Sequence, residues 1–222
     1  MHAILFDLEG TLVESPIKNP GIISAYRSEL FPHFAKLGIP PSVVNTSEPT
    51  SVIYNNALEF AENNFSTAER EGFQRKIDLF MSENEVIWAN QSKPFSDAHM
   101  VLNQLKRLEV RIGLVTNTCR KAAEIMLYQG NLQNFFDTIV TRSDVRKLKP
   151  DPESTLLALS KLSLKEFFFI GDSELDALAA KAVGGTSIIL KSNPLKRNFN
   201  ANHFVSSLSE ILPFIVHAIE KL

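Results

Sequence analysis

The sequence predicts an α/β fold in which a parallel, Rossmann-like three-layer core is interrupted by an inserted all-helical cap. From Pro94 onward, short apolar strands alternate with amphipathic helices, a pattern typical of a parallel sheet with helices on both faces. Between Glu14 and Lys93, only helical patterns are found. We therefore expect a core domain of residues 1–15 and 92–222 and a cap domain of residues 16–91.

The first predicted strand runs from Ala3 to Phe6 and ends at Asp7, before the tight loop Leu8–Thr11. An apolar run stopped by a carboxylate and a glycine predicts a buried strand that places an acid at the carboxyl edge of the sheet. A single aspartate in this position is more often a turn residue or a helix cap. The significance of Asp7 therefore depends on the residues found at the ends of the other strands.

The inserted segment contains three predicted helices. Apolar residues recur near a 3.6-residue period over positions 23–37, and again from Thr50 to Asn64. The third helix begins with the capping-box pattern at Ser66 and continues to about Trp88. Because connections between elements are usually about 4–6 residues long, we interpret this segment as a small second domain.

The core elements alternate after the insertion. We predict helices over residues 98–108, 120–129, 174–183 and 208–219, another helix after Asp151, and strands over residues 111–115, 137–140, 167–170 and 186–190. Pro213 is expected to kink or delay the last helix.

Composition excludes several classes of protein. The 222 residues are 44% hydrophobic and 22% charged, as in ordinary soluble globular proteins. A net charge of -2 offers no electrostatic basis for binding nucleic acid or an acidic membrane, and no run approaches the ~18 apolar residues of a membrane span. With one cysteine, Cys119, and no signal-like N-terminus, a cytoplasmic monomer or homodimer is expected.

Polar residues capable of chemistry lie just after four separate elements of the predicted core. They are Asp7 with Glu9, Thr116 with Asn117, Lys149, and Asp172 with Asp176. In a doubly wound sheet such positions converge on one edge, and together they support phosphoryl transfer through a covalent aspartyl phosphate. Four carboxylates against one lysine would repel a phosphate dianion, so a hard divalent cation, Mg²⁺, is expected as cofactor.

These positions also form four ordered motifs. They are Asp7-Leu8-Glu9-Gly10-Thr11 for D-x-D-G-T, Thr116 after a strand, Lys149-Pro150, and Gly171-Asp172 with Asp176 for G-D-x-x-x-D. In this order the chain resembles the haloacid dehalogenase (HAD) superfamily over essentially its whole length. The helical insertion resembles the cap of the phosphoglycolate phosphatase and β-phosphoglucomutase branch.

The resemblance implies a Mg²⁺-dependent phosphomonoesterase that hydrolyses a small soluble phosphate ester, phosphoglycolate-like or a sugar phosphate. The resemblance implies that Asp7 is the nucleophile and a metal ligand, and that Glu9 is the acid/base and a metal ligand through its backbone carbonyl. Lys149 would neutralise charge, and Asp172 and Asp176 would bind Mg²⁺. The residues implied to hold the phosphoryl group are Thr116, Asn117, Gly10 and Thr11.

Glu9 is the main departure from the family pattern, because most phosphatases of this superfamily have Asp there. The extra methylene moves the carboxylate, and a displacement of about 1 Å can cost ~10²-fold in rate. Two alternatives therefore stay open: a phosphomutase of the same superfamily, and a weakly active or inactive regulatory binding protein.

Basic cap residues are candidates for a substrate carboxylate or second phosphate, although any single one is more often a solvated surface charge. They are Lys18, Arg27, Arg70, Arg75 and Lys76. Cys119 lies just after the second motif and is expected to be a buried structural thiol rather than a nucleophile.

Overall fold

The computed structural model describes residues 2–191 and 199–220, so the predicted core limits at residues 1 and 222 lie outside the described residues. The strands are β1 Ala3–Phe6, β2 Val13–Glu14, β3 Lys93–Pro94, β4 Arg111–Val115, β5 Thr138–Val140, β6 Phe167–Gly171, β7 Thr186–Leu190 and β8 His203–Val205. The helices are α1 Pro20–Lys36, α2 Thr50–Asn64, α3 Thr67–Ala89, α4 Ala98–Arg107, α5 Arg120–Gln129, α6 Glu153–Leu162, α7 Glu174–Ala182 and α8 Leu212–Ile219.

Six of the strands form one parallel sheet in the order β5-β4-β1-β6-β7-β8. Strand β1 lies at the centre, and its alternate residues face opposite sides. Leu5 packs toward residues of α6 and α7, whereas Phe6 packs toward residues of α4 and α5. Helices therefore cover both faces, and the predicted three-layer α/β fold is confirmed.

Helices α1, α2 and α3 are packed around a hydrophobic cluster of their own. Leu30, Ile53 and Ile77, one from each helix, are fully buried at its centre. The predicted limits of α2 are confirmed, as is the capping box formed by Ser66 and Glu69 at the start of α3. Leu148 from the core joins the same cluster, so the three helices dock directly against the core.

The chain enters and leaves the three helices through a two-stranded antiparallel ribbon. Val13 of β2 pairs with Pro94 of β3, which holds the two connections side by side. Sequence patterns did not reveal this ribbon, because two-residue strands are too short to show periodicity.

The C-terminal elements also differ from expectation. Strand β8, which was not predicted, closes one edge of the sheet. The last helix begins only at Leu212, after a short 3-10 turn at Leu208–Ile211, and Pro213 lies in its first turn. The expected delay is therefore confirmed: the proline lies where its missing N–H is not needed, and it starts the helix instead of kinking it.

Over the described ranges, no helix combines the length and the apolar character that crossing a membrane requires.

Candidate active site

Three neighbouring strands deliver the predicted functional residues to the carboxyl edge of the sheet. Strands β4, β1 and β6 are adjacent, and Thr116, Asp7 and Asp172 come directly after their last residues. Parallel strands that end together bring the loops beyond them together. The structure thus places residues from all four motifs around one site.

Lys149 occupies the centre of this site. Its ammonium group donates hydrogen bonds to Asp7 Oδ1 at 2.8 Å, to Asp176 Oδ1 at 2.6 Å and to the carbonyl oxygen of Val115 at 3.0 Å. The side chain of Lys149 is only 3% exposed. We call Lys149, Asp7 and Asp176 the Lys149 cluster.

Burial and ion pairing act in opposite directions on these groups. Burial raises the pKa of Asp7 to about 7, although Lys149 opposes the shift. Burial also works against the charged forms of Asp176 and Lys149, but their ion pair prevails: the pKa of Asp176 is lowered and that of Lys149 is raised. Lys149 therefore stays a cation in the site, whereas burial makes the ionised form of Asp7 less favourable than it is in water.

Two glycines allow the carboxylates to approach the backbone. Gly10 has φ +84°, and a Cβ there would lie 2.4 Å from Asp172 Oδ2. A Cβ on Gly171 would lie 2.4 Å from the Cγ atom of Asp176. Any larger residue at either position would push an aspartate out of the site.

The carboxylates fit a divalent cation. One oxygen from each of Asp7, Asp172 and Asp176 lies within 4.8 Å of the others. Such clustered carboxylate oxygens are the ligands that Mg²⁺ prefers. Lys18 contacts the same group, since its ammonium lies 2.9 Å from both oxygens of Asp172.

The carboxylate of Glu9 is held by two hydroxyl groups. Ser15 Oγ donates to Glu9 Oε1 at 2.6 Å, and the hydroxyl of Thr118 donates to Glu9 Oε2. Sequence reasoning did not identify Ser15 or Thr118, although each lies a few residues beyond a recognised motif. The longer Glu side chain is thus oriented by this structure rather than left free.

Two asparagines hold the loop that carries Lys149. The side-chain amide of Asn117 donates to the carbonyl of Lys149 at 3.1 Å and accepts from its N–H at 2.9 Å. Asn55 of α2 makes the same pair of bonds to Leu148, at 2.8 Å each. Asn117, predicted as a phosphoryl-binding residue, therefore has its amide engaged in positioning Lys149. Nothing in the sequence pattern singled out Asn55.

The remaining predicted phosphoryl-binding residues occupy different places. Thr116 lines the cavity, and its hydroxyl accepts from the Thr118 N–H at 3.2 Å. Thr11 is fully buried outside that lining, and its hydroxyl has no partner among the described residues. Gly10 is outside the described lining of the cavity, and its missing side chain leaves room for Asp172.

A cavity of about 270 Å³ lies between the core and the three inserted helices. Its core side includes Asp7, Glu9, Thr116, Lys149 and Asp176. Its other side is mainly apolar, formed by Ile17, Ile23, Tyr26, Met81 and Trp88 together with the start of α2. Among the five basic residues considered from sequence, Lys18 alone is part of the described lining.

A second group of charges, built around the buried side chain of Arg142, lies where α3 meets the core. Arg142, after β5, donates to Asp78, to Ser82 Oγ at 3.1 Å and to Glu85 Oε2 at 2.8 Å. Its side chain is 3% exposed. We call Arg142, Asp78 and Glu85 the Arg142 cluster. None of them was a candidate from sequence, because they belong to no motif.

The same cluster accounts for Cys119. Its backbone N–H donates to Glu85 Oε2 at 2.8 Å. The thiol is buried, and burial raises its pKa. A thiol kept neutral is a poor nucleophile, which agrees with the structural role expected from sequence.

Comparison with known proteins gives one family and several relatives. The model of the haloacid dehalogenase-like hydrolase family matches residues 4–190. Pyrophosphatase PpaX of Bacillus velezensis is 28% identical over 216 residues, covering 95% of this chain and 94% of that protein. A HAD phosphatase structure from Thermococcus onnurineus has a TM-score of 0.63 at 23% identity, covering 97% of this chain and 98% of its own.

A structure from Lactobacillus plantarum, provisionally described as a phosphoglycolate phosphatase, has a TM-score of 0.62 at 23% identity and covers 96% of this chain and 98% of its own. At this level of identity, the two structural matches establish a shared fold.

Proposed function

The chain belongs to the haloacid dehalogenase-like hydrolase family, and from this premise we propose that it is a Mg²⁺-dependent phosphomonoesterase acting through an aspartyl phosphate on Asp7. The observation that carries the proposal is the Lys149 ammonium, buried between Asp7 and Asp176 at the end of a cavity. A buried cation beside a carboxylate that lines a cavity suits the binding and attack of a phosphate group.

Asp7 is the proposed nucleophile. Its carboxylate oxygen that Lys149 does not bind attacks phosphorus, and the bond between phosphorus and the alcohol oxygen breaks. Asp7 then carries the phosphoryl group, while Lys149 offsets the negative charge that builds up beside it. In the second half, water attacks phosphorus, the bond to Asp7 breaks and inorganic phosphate leaves.

Glu9 is the proposed acid and base. It gives a proton to the leaving alcohol oxygen in the first half and takes one from the attacking water in the second. Ser15 and Thr118 hold its carboxylate at the cavity wall, which compensates for the extra methylene relative to Asp. This support favours an active enzyme over an inactive binding protein.

Asp7, Asp172 and Asp176 are the proposed ligands for Mg²⁺, and the contribution of the Glu9 carbonyl stays a prediction. When bound, the cation supplies positive charge beside the transferring phosphoryl group. Thr116 lines the same cavity as Asp7, and its hydroxyl is the proposed donor to a phosphoryl oxygen. Asn117 acts through Lys149, whose backbone it orients.

Pyrophosphate is a second candidate substrate, because the Bacillus velezensis relative is named a pyrophosphatase. It would use the same Asp7 chemistry, with a phosphate in place of an alcohol as leaving group. Pyrophosphate would place a second phosphate against the far wall of the cavity, whereas a phosphate monoester would place its alcohol there.

Phosphate release from an activated aryl phosphate tests the proposal. Turnover is expected with Mg²⁺ and not with EDTA, and Asp7→Asn should reduce it by at least about 10³-fold. Mass spectrometry of acid-quenched wild type should find a phosphoryl group on the peptide containing Asp7. Full activity of Asp7→Asn would refute the mechanism.

The variant Glu9→Asp tests the acid/base assignment. We expect its kcat to fall, because the shorter side chain loses one or both hydroxyl partners. A large rise would instead identify Glu9 as a natural handicap and favour the regulatory alternative.

A further inference from the structure

Within the described part of the chain, the cavity wall opposite the phosphoryl site contains no free cation. Lys149 and Lys18 are the basic residues of the described lining, and both lie at the carboxylate end. Lys149 is bound between two aspartates, and Lys18 binds both oxygens of Asp172. Neither is positioned to neutralise a charge at the far end of a substrate.

Two further basic residues, Arg27 and Arg142, lie outside the described lining and bind other groups of the protein. Arg27 of α1 donates to the backbone carbonyls of Thr46 and Glu48 rather than to the cavity. Arg142 is bound by Asp78 and Glu85 outside the lining. The acid that does border this region, Glu85, would repel a second anion if Arg142 did not offset its charge.

Most of this wall is apolar. It is lined by Ile17, Ile23, Tyr26, Met81 and Trp88. The rings of Trp88 and Tyr26 meet edge to face, with their centroids 5.0 Å apart. An anionic group placed here would lose its water and gain no opposite charge, which is strongly unfavourable. Carbon atoms placed here would replace water at an apolar surface, which is favourable.

One polar side chain on this wall lacks a partner. Ser51, in the first turn of α2, is 7% exposed and lines the cavity, and its hydroxyl has no hydrogen-bond partner among the described residues. The residue before this helix, Pro49, provides no side-chain cap. The N-terminus of a helix attracts any ligand oxygen, charged or neutral, but its charge of about half an elementary unit does not neutralise a full anion placed against an apolar wall.

We propose that the preferred substrate is a phosphate ester of a small uncharged alcohol that carries one further oxygen for Ser51. The proposal rests on the proposed phosphatase function and narrows it. Phosphoglycolate and pyrophosphate, whose leaving groups are anionic, are then poor substrates. The cavity of about 270 Å³ sets the size, since it lies at the lower limit of ligand sites.

A matched pair of esters tests the charge requirement. Glycolaldehyde phosphate and 2-phosphoglycolate have the same carbon number and differ in an aldehyde against a carboxylate. With Mg²⁺ present, we expect kcat/KM for the aldehyde to exceed that for the acid by at least tenfold, and that for pyrophosphate by more. Equal or better use of phosphoglycolate or pyrophosphate would overturn the inference while leaving the phosphatase assignment intact.

The two proposals fail in different ways. Absence of Mg²⁺-dependent hydrolysis of every ester, aryl phosphate included, would refute the function itself. Hydrolysis of aryl phosphate without any use of glycolaldehyde phosphate would overturn only the substrate class.

Ser51→Ala tests the proposed hydrogen bond between Ser51 and the substrate, and a comparison of two esters separates loss of this bond from a folding defect. We expect KM for glycolaldehyde phosphate to rise about tenfold, with KM for ethyl phosphate, which lacks the second oxygen, unchanged. Ser51→Thr should restore the lower KM. Equal effects on both esters would show that Ser51 only supports the fold of α2, and would overturn its assigned contact.

A variant that adds a positive charge to the wall provides the gain-of-function control. Ile23 lines the cavity and is partly buried, whereas Ile22, its neighbour in α1, lies outside this lining. Ile23→Lys should improve kcat/KM for phosphoglycolate relative to glycolaldehyde phosphate by at least tenfold. Ile22→Lys should leave that ratio as in wild type. An unchanged ratio in Ile23→Lys would contradict the charge argument.

Discussion

Two groups of charges in this protein are each built from one buried cation and two carboxylates, and they differ in what surrounds them. In the Lys149 cluster and in the Arg142 cluster, a cation with a side chain 3% exposed is held by two carboxylates. The first lies at the carboxyl edge of the sheet and all three of its residues line the cavity, whereas Glu85 alone of the second cluster is part of the described lining. The second joins α3 to the core, where Ser82 and the Cys119 N–H add further bonds.

The difference lies in what the carboxylates face, because burial raises the pKa of both Asp7 and Glu85. In the Lys149 cluster, Asp7 and Asp176 line the cavity and lie close enough to Asp172 to share a cation with it. In the Arg142 cluster one oxygen of Glu85 accepts from both Arg142 and the core backbone. A buried ion pair thus suits chemistry when its carboxylates face a cavity and can bind a ligand, and suits structure when they bind the surrounding protein.

Replacing the two cations by the same residue should separate these roles most clearly. Lys149→Met should lower kcat/KM on an aryl phosphate by at least about 10³-fold, because the ammonium group that offsets charge at Asp7 is then lost. Arg142→Met should lower the activity of the folded fraction by at most about tenfold. The measurement is steady-state phosphate release with Mg²⁺, normalised to folded protein by circular dichroism. Similar losses in both variants would contradict the division of roles.

The second prediction concerns stability. Arg142→Met should lower the free energy of unfolding by about 3–5 kcal/mol, since it leaves Glu85 buried without its cation. Arg146→Met is the control, because Arg146 also joins core to cap through Glu62 but is 64% exposed. Its cost should be about 0–1 kcal/mol in urea unfolding. An equal cost for both would show that the Arg142 cluster is energetically unimportant.

The asparagines that hold the Lys149 loop provide a finer comparison. Asn117→Ala should lower kcat by about 10–100-fold, because a small displacement of Lys149 weakens charge compensation at Asp7. Asn55→Ala breaks the same bonds one residue earlier, at Leu148, so its effect on kcat should be several-fold smaller. Pre-steady-state phosphate release can measure both. A larger effect of Asn55→Ala would show that Asn55 of α2, rather than Asn117, is the main residue that positions the Lys149 loop.

The smallest expected effect concerns the turn that carries Arg142. Asp144 accepts bonds from the Thr141 N–H at 2.8 Å and from Arg120 at 2.6 Å. Despite the opposing effect of partial burial, these bonds lower the pKa of Asp144. Its ionised form therefore stabilises the fold above the ordinary pKa of 3.8, and this contribution disappears as pH falls below that value.

Asp144→Asn should consequently cost about 1 kcal/mol at pH 7 and progressively less below pH 3.8. Glu124→Gln is the control, since Glu124 also approaches Arg120, at 3.8 Å, but is 61% exposed. Its cost should be negligible at either pH. Urea unfolding at several pH values measures both, and a cost for Asp144→Asn that grows at low pH would contradict the assignment.

Much of the fold was predictable because its signals are local. The apolar run before Asp7, the alternation after Pro94 and the capping box at Ser66 each depend on neighbouring residues. The ribbon of β2 and β3 was not predictable, since two residues show no period. Strand β8 was missed for a similar reason, as three residues at a sheet edge carry little pattern.

The candidate site divides in the same way. Its motif residues were recognisable because most of them lie directly after a strand, and a parallel sheet brings such positions to one edge. Asn55, Ser51 and the Arg142 cluster carry no such mark. Their importance comes from partners distant in sequence, as with Asn55 and Leu148, which are 93 residues apart.

The sequence by itself therefore determined the α/β class, the position of the helical insertion and which carboxylates and lysine gather at the sheet edge. Only the tertiary structure decided how the inserted helices dock and that Asn55 and Asn117 hold the backbone of the Lys149 loop. It alone also decided that two hydroxyl groups hold Glu9 and that the described far wall of the cavity offers no free cation. The physical reason is that periodicity and the residues that end helices and strands act over a few positions, whereas desolvation and pairing of a charge depend on every surface packed against it.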